Sequence, residues 1–434
     1  MDNLGKITGD TDAGKLWIKG QGFQPWYQIS FEKNPDSYGE PKPIPGNLSD
    51  PFVETVGDNL QLFVLPDDCI SLGERLESIR CKGYPEGTPE EKLRASQEGF
   101  RRSPDKRLFQ PPLVLVNNGF TKFSFADFPV FYQHSLTGIS SAPNDEDLLR
   151  FFTIFAKSKL ALYFLFHTAS SWGVERDRVL VHELMRLPFP LPDSSHSIPM
   201  AKSIVKHVAS LMRKLQLEVA GMYALAKEEE NFKLQAETLE QKRRGMINQL
   251  QADLDPLIYQ YFDLTDEEII LVEDTWKVYE PSSTPPTPNS PIPTLQKTVI
   301  EDRVAYSSLL CKTLNDWSRM DQPDGRDSPF SIYAESSSLP MAGMVLVTLK
   351  KSPKEKPCSD ILANSEIENA VVKISRASKK EKVGFEYLRG IIFGDGEKIH
   401  LLKPDLLGQW TRTCALNDAD TVFQIIVQSK RKAK

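Results

Sequence analysis

From Met200 to Leu254 the chain contains no proline, and apolar residues recur at Ile204, Val208, Leu211, Leu215, Val219 and Met222. Steps of three and four put these six on one stripe of an α-helix. A second stripe, Phe232, Leu239, Met246 and Leu250, follows, with Lys and Glu on the other faces. Stripes this apolar do not face water. The pattern therefore predicts one long helix or a hairpin of two, covered by another helix in a coiled-coil-like contact. The cover is either the hairpin mate or a partner subunit. Lys242-Arg243-Arg244 reads as a solvated face of this block.

The flanking regions differ in character. Residues 1 to about 145 are rich in proline, glycine and aromatics, with short apolar runs at Leu60–Leu65, Leu113–Val116 and Val130–Tyr132. Turn residues such as Asn117-Asn118-Gly119 separate them, which predicts irregular β structure with long loops. Tyr84–Arg107 reads as a polar, basic loop or short helix. Asp145-Glu146-Asp147 then offers acids at a helix start, and the run Leu148–Phe166 predicts one buried helix. A shorter helix is expected near Val179–Leu187, stopped by Pro188, Pro190 and Pro192. Thr265-Asp266-Glu267-Glu268 has the spacing of a capping box, with Thr265 as N-cap. PSSTPPTPNSPIP, residues 281–293, reads as an extended linker. Beyond it, Met344–Leu349 and Val422–Val427 read as buried strands, Gly394-Asp395-Gly396 as a hairpin turn, and Lys430-Arg431-Lys432 as a basic terminus.

The net charge is -6 over 434 residues. No whole-chain basic field exists, so any attraction to nucleic acid must come from a local face. Cys69, Cys81, Cys311, Cys358 and Cys414 are odd in number, scattered and without a CxxC pair. That argues against a disulfide framework or zinc cage and for a reducing cytoplasm. The N-terminus has no signal-peptide pattern. The apolar run Phe151–Phe166 is interrupted by Lys157 and Lys159 and is too short to span a bilayer, so no membrane partner is expected.

Catalytic signatures are wanting. Gly9–Lys15 has the spacing of a phosphate-binding loop, but Leu16 stands where the magnesium-holding hydroxyl belongs and Asp10 and Asp12 would repel phosphate. Ser49-Asp50-Pro51-Phe52 lacks the second proline of an amino-methyltransferase tetrad. No two histidines share metal-ligand spacing with an acid or cysteine, and no serine sits in a Gly-x-Ser-x-Gly elbow. The chain is expected to hold no catalytic, cofactor or metal site of its own.

One segment is more telling. Phe155–Pro192, FAKSKLALYFLFHTASSWGVERDRVLVHELMRLPFPLP, joins an apolar helix to a Ser170-Ser171-Trp172 turn, a short helix and a Leu187-Pro188-Phe189-Pro190 exit. This order resembles the end of the target-recognition domain in adenine-specific DNA methyltransferases of the TaqI-like and combined restriction-modification type. Upstream, LFQPPLVLVNNGF and FYQHSLTGI are similar to the family's preceding strands, and LQADLDPLIYQYFDLTDEEIILVED to its following helical segment. Ile399–Asp420 resembles a closing segment of some large methylase-like proteins. The family's catalytic half normally precedes this region in the same chain. Here Met1 falls within what would be the recognition half, so the resemblance implies a split enzyme, with a truncated or degenerate remnant as the alternative.

The expectation is thus an α+β protein: a β-rich DNA target-recognition domain with packed helices over 1–196, a helical, coiled-coil-like spacer over 197–280, a linker over 281–296 and a smaller α/β domain over 297–434. It would bind double-stranded DNA as the specificity subunit of a restriction-modification or phage-defence system. A separate methyltransferase subunit would supply S-adenosylmethionine and flip out the adenine. The expected DNA-facing residues are the cluster Arg101, Arg102, Lys106 and Arg107, and Trp172, Arg176 and Arg178 about a second turn. The alternatives are a defence-complex adaptor that touches no DNA and a chain with cryptic methyltransferase or nuclease activity.

Overall fold

The computed structural model describes residues 4–9, 16–25, 46–56, 62–75, 78, 100–102, 104–117, 122–170, 172, 179–227, 232–283, 287, 289–320, 331–340, 342–369, 372, 390–395 and 398–432. It is mixed α+β, and its contacts divide it into two units, Met1–Leu264 and Thr265–Lys434.

The strands of the first unit are β1 Thr8–Gly9, β2 Trp17–Gln21, β3 Gln24–Pro25, β4 Pro51–Val53, β5 Leu62–Phe63, β6 Ile70–Ser71, β7 Phe100–Arg102, β8 Leu113–Asn117, β9 Phe123–Ala126, β10 Phe131–Tyr132 and β11 Leu136–Ser140. Six of them form a sheet in the order β1-β2-β11-β8-β9-β5. The two-residue period of β8 sends Val114 and Val116 to one core and Leu113 and Leu115 to another. On the first side lie four helices: α1 Glu146–Ala156, α2 Lys159–Thr168, α3 Ile198–Lys227 and α4 Phe232–Tyr261. On the second side Phe52, Val53, Phe131 and Tyr132 of the small sheet β10-β4-β6 close the layer. A strand buried on both faces reads as an unbroken apolar run, as LVLV does.

The run expected as a single helix over Leu148–Phe166 is two. Ser158 is extended, and its side chain accepts from the Ala161 amide at 3.3 Å while donating to the Phe155 carbonyl at 2.7 Å. A serine that can cap a new helix competes with the backbone of the old one, so α1 ends at Ala156 and α2 starts afresh. Phe189 of the proline-flanked exit packs against Phe152 at 5.2 Å and Phe155 at 5.7 Å between ring centroids. Tyr261 Oη donates to the Pro190 carbonyl at 2.6 Å.

The proline-free block is a hairpin. Gln260 Nε2 lies 3.3 Å from Met200 Sδ, and the Arg243 guanidinium lies 5.9 Å from the Tyr223 ring centre, so α3 and α4 run antiparallel. The stripe Ile204, Val208, Leu215 and Val219 is buried in the same core as the sheet. These helices are therefore part of the first unit, and the chain divides after Leu264 rather than at residue 196 or 280.

The second unit opens with α5 Asp266–Asp274. Thr265 Oγ1 accepts from the Glu268 amide at 3.3 Å and Glu268 Oε2 from the Thr265 amide at 2.9 Å, the expected capping box. The proline-rich stretch does not separate the units. Ser282 Oγ accepts from the Thr294 amide at 3.0 Å, and the turn Pro293–Leu295 belongs to the second unit like the helix before it. The strands β12 Ser331–Leu339, β13 Met344–Ser352, β14 Ile391–Asp395 and β15 Lys398–Pro404 form an antiparallel sheet, β12-β13-β15-β14. Asp395 pairs with Lys398 in the β14–β15 register; residues 396 and 397, on which the expected hairpin turn falls, lie outside the described residues. Helices α6 Ile300–Met320 and α7 Arg412–Lys432 cover one face. Val422–Val427, expected as a strand, lies in α7. Ala415, Ala419, Val422 and Ile426 extend one helical stripe on to the core.

Candidate nucleic-acid interface

A glycine pair fixes the local framework. In the β2–β11 register Gly20 stands opposite Gly138. A Cβ on Gly138 would lie 2.0 Å from the Tyr132 hydroxyl oxygen, and one on Gly20 2.5 Å from Leu108 Cδ1. Two missing side chains thus open a slot for Tyr132 and Leu108. The Tyr132 hydroxyl lies 3.3 Å from the carbonyl oxygens of Gly20 and Leu108, and burial pushes its phenol well above the usual range.

This slot positions the basic segment. Leu108 and Phe109 are buried, which pins the C-terminal half of the 3-10 turn Lys106–Phe109 and leaves Lys106 and Arg107 at the surface. Asp105 caps the turn. It accepts from the Arg107 amide at 3.0 Å and grips the guanidinium at Nε, 3.1 Å, and Nη2, 2.5 Å. Those bonds hold the Asp105 carboxyl below its usual range. The charge of Arg107 is thereby locally balanced. Among the described residues no carboxylate pairs with Lys106.

Just upstream, β7 pairs antiparallel with β3 in a two-stranded ribbon apart from the larger sheets, Gln24 opposite Arg102 and Pro25 opposite Phe100. The ribbon is tied to the same framework: the Phe23 amide donates to the Tyr132 carbonyl at 3.2 Å and the His134 amide to the Phe23 carbonyl at 3.0 Å. Arg101 and Arg102 sit on this ribbon; their side chains lie outside the described residues, as do Arg176 and Arg178 altogether.

No protein-family model and no curated protein matches this chain.

Two expected surface residues are core residues instead. Trp172 is only 9% exposed and meets Phe166 edge-on at 6.1 Å, so its ring packs in the core rather than standing at the surface. Arg243 departs from the solvated face expected of it. Lys242 and Arg244 are exposed, but Arg243 is buried, donating from Nη1 to Asp68 at 2.9 Å and from Nη2 to the Phe63 carbonyl at 2.7 Å, with its guanidinium 5.0 Å from the Phe63 ring centre. Helix phase carries the signal: Arg243, Ile247, Leu254 and Ile258 share the buried stripe.

Among the described residues no group of three His, Cys, Asp or Glu is placed to hold a metal ion, and no helix is long and apolar enough to cross a membrane. A feature that sequence reasoning missed lies in the second unit, a cavity of about 430 Å³ lined by Cys311 and Cys358 together with Ser308, Lys312 and Lys356.

Proposed function

We propose that this chain is the sequence-recognition subunit of a split adenine-specific DNA methyltransferase or restriction-modification system. It grips duplex DNA and presents an adenine to a separate catalytic subunit carrying S-adenosylmethionine. The supporting observation is the β3–β7 ribbon with Lys106: three cations, Arg101, Arg102 and Lys106, close together in the chain, on a ribbon apart from the larger sheets and on a turn anchored by buried Leu108 and Phe109 at the Tyr132 slot. A chain of net charge -6 needs such a local concentration to approach phosphates. A two-stranded ribbon carrying arginines is suited to backbone contact and, in a groove, to guanine edges. The test is selection from a randomised duplex pool by the purified chain with its methyltransferase. Enrichment of a short motif containing adenine is expected. Recovery of unselected DNA, or of none, counts against the reading.

A specific observation favours the adaptor as second reading. Leu217 and Leu225 on α3 are 74% and 69% exposed, an arrangement suited to contact with protein. If the chain assembles with a methyltransferase yet enriches no sequence, the adaptor role replaces the first.

A further inference from the structure

The segment around Cys358 forms an added rung on the free edge of the second unit's sheet. The Ser359 amide donates to the Ala334 carbonyl at 3.1 Å and the Ser336 amide to the Ser359 carbonyl at 2.9 Å. Asp360 locks the next position, bound by Arg303 through Nε at 2.8 Å and Nη2 at 2.5 Å and by Ser336 Oγ at 2.6 Å. Cys358 Sγ is thus held in place, accepting from the Ala334 amide at 3.4 Å. Across from it, α6 presents Ser308 and Cys311 one turn apart; both line the same cavity as Cys358, which packs against the core cluster that holds Cys311. Cys358 is half-buried and opens on the cavity, whereas Cys311 is buried behind it.

We propose that Cys358 and Cys311 form a modification site that reacts with hydroperoxides, Cys358 as the attacking thiolate and Cys311 as the resolving thiol. The Cys358 sulfur attacks the peroxide: an S–O bond forms, the O–O bond breaks, and the electron pair leaves on the departing oxygen, which is protonated to an alcohol or, from hydrogen peroxide, to water. Sulfur is oxidised by two electrons to the sulfenic acid. The Cys311 sulfur then attacks that of Cys358. The S–S bond forms, the S–O bond breaks, and hydroxide leaves to take up the Cys311 proton as water. The product staples α6 to the segment at the sheet edge.

The electrostatics agree with this division of labour. The Cys311 thiol, the Ala334 amide and Ser308 donate to Cys358 and bring its pKa down to about 7 against the cost of burial. Cys311, as donor and buried, keeps its proton. Cys69 is the internal contrast: burial, and then the charge of Asp68, push its thiol up to about 12. A thiol half ionised at pH 7 reacts faster than an ordinary buried one in proportion to its thiolate.

The inference is independent of the DNA reading and is tested on the reduced full chain. At pH 7, iodoacetamide should label Cys358 more than about tenfold faster than Cys69, a gap that closes in urea. Limited hydrogen peroxide should yield a Cys311–Cys358 linked peptide by mass spectrometry. In Cys311→Ser a dimedone-trapped sulfenic acid should appear at Cys358 instead, and in Cys358→Ser neither product should form. Equal labelling of Cys358 and Cys69 in the native chain overturns the proposal even where a variant misfolds. So does a peroxide-formed disulfide that engages Cys69 or Cys414 and leaves the pair reduced.

Discussion

The largest sheet of each unit is covered in its own way. In the first unit, β8, β9 and β11 are buried on both faces, between four helices on one side and a small β layer on the other. In the second unit, α6 and α7 build a deep core on one face, while the other carries a small cluster about Leu346, Leu362 and Leu402. A sheet closed on both sides leaves its interior strands no surface for function. The β3–β7 ribbon is a separate sheet, and Lys106 lies at the surface. The second sheet keeps an edge at β12, which alternates buried and half-buried residues; on its outer side, among the described residues, the short Cys358 segment pairs with it.

The largest expected effect breaks or confirms this contrast. Phe152 is fully buried among Trp17, Phe123 and Phe189, and Phe152→Ala should cost about 3–5 kcal/mol. Leu346 is equally buried, but in the small cluster, where the site can collapse; Leu346→Ala should cost about 2 kcal/mol, the low end for such a change. Denaturant unfolding of both variants decides it. Equal costs would mean that the two faces are not packed differently.

Next is the buried cation that joins the hairpin to the chain around Asp68. Arg243→Ala removes the partner of Asp68 and the donor to Phe63 O. It should cost about 3 kcal/mol, while Lys242→Ala and Arg244→Ala, at exposed positions, should stay within about 0.5 kcal/mol. Similar small losses for all three in thermal unfolding would contradict the buried assignment.

A smaller, pH-dependent effect belongs to Glu183. Burial raises its pKa, but the Ser170 hydroxyl and amide, both at 2.7 Å, and the Leu180 amide at 2.9 Å outweigh that and bring it below the ordinary value of 4.5. A carboxylate lowered in the folded state stabilises above its unfolded pKa and loses that contribution as pH falls through the folded one. The stability gap between wild type and Glu183→Gln should therefore be constant near neutrality and shrink below 4.5. A gap that widens on acidification would reverse the sign.

What the sequence made legible was local. The helical hairpin and the Thr265 cap follow from spacing within a few turns, and the LVLV strand from its apolar run. The break at Ser158 falls in the polar Lys157-Ser158-Lys159 step, which the long apolar run on either side made look like a mere interruption, although a serine there is a capping signal. Trp172 beside charged residues looked like a surface ring, yet Phe166 lies within reach only once the chain turns. Val422–Val427 is β-branched enough to suggest a strand, and only the stripe back to Ala415 shows the helix. Cys311 and Cys358 meet through the edge pairing of a sheet, which no spacing in the sequence encodes. The basic ribbon was marked by composition alone, and its pairing with β3 came from the fold.

If the proposed reading holds, the cations of the ribbon and its turn bring this acidic chain to DNA. The direct test is a duplex-binding titration across salt concentrations, with the methyltransferase present, for wild type, Arg101→Ala/Arg102→Ala, Lys106→Ala and the control Lys242→Ala/Arg244→Ala. Each lost phosphate contact should flatten the plot of log affinity against log salt by about one unit of slope. The account predicts about two units for the arginine pair, about one for Lys106→Ala and none for the control; a base-reading arginine would instead relax one position of the site at about 1–3 kcal/mol. Unchanged affinity, slope and site preference in both ribbon variants, or an equal loss in the control, would contradict it.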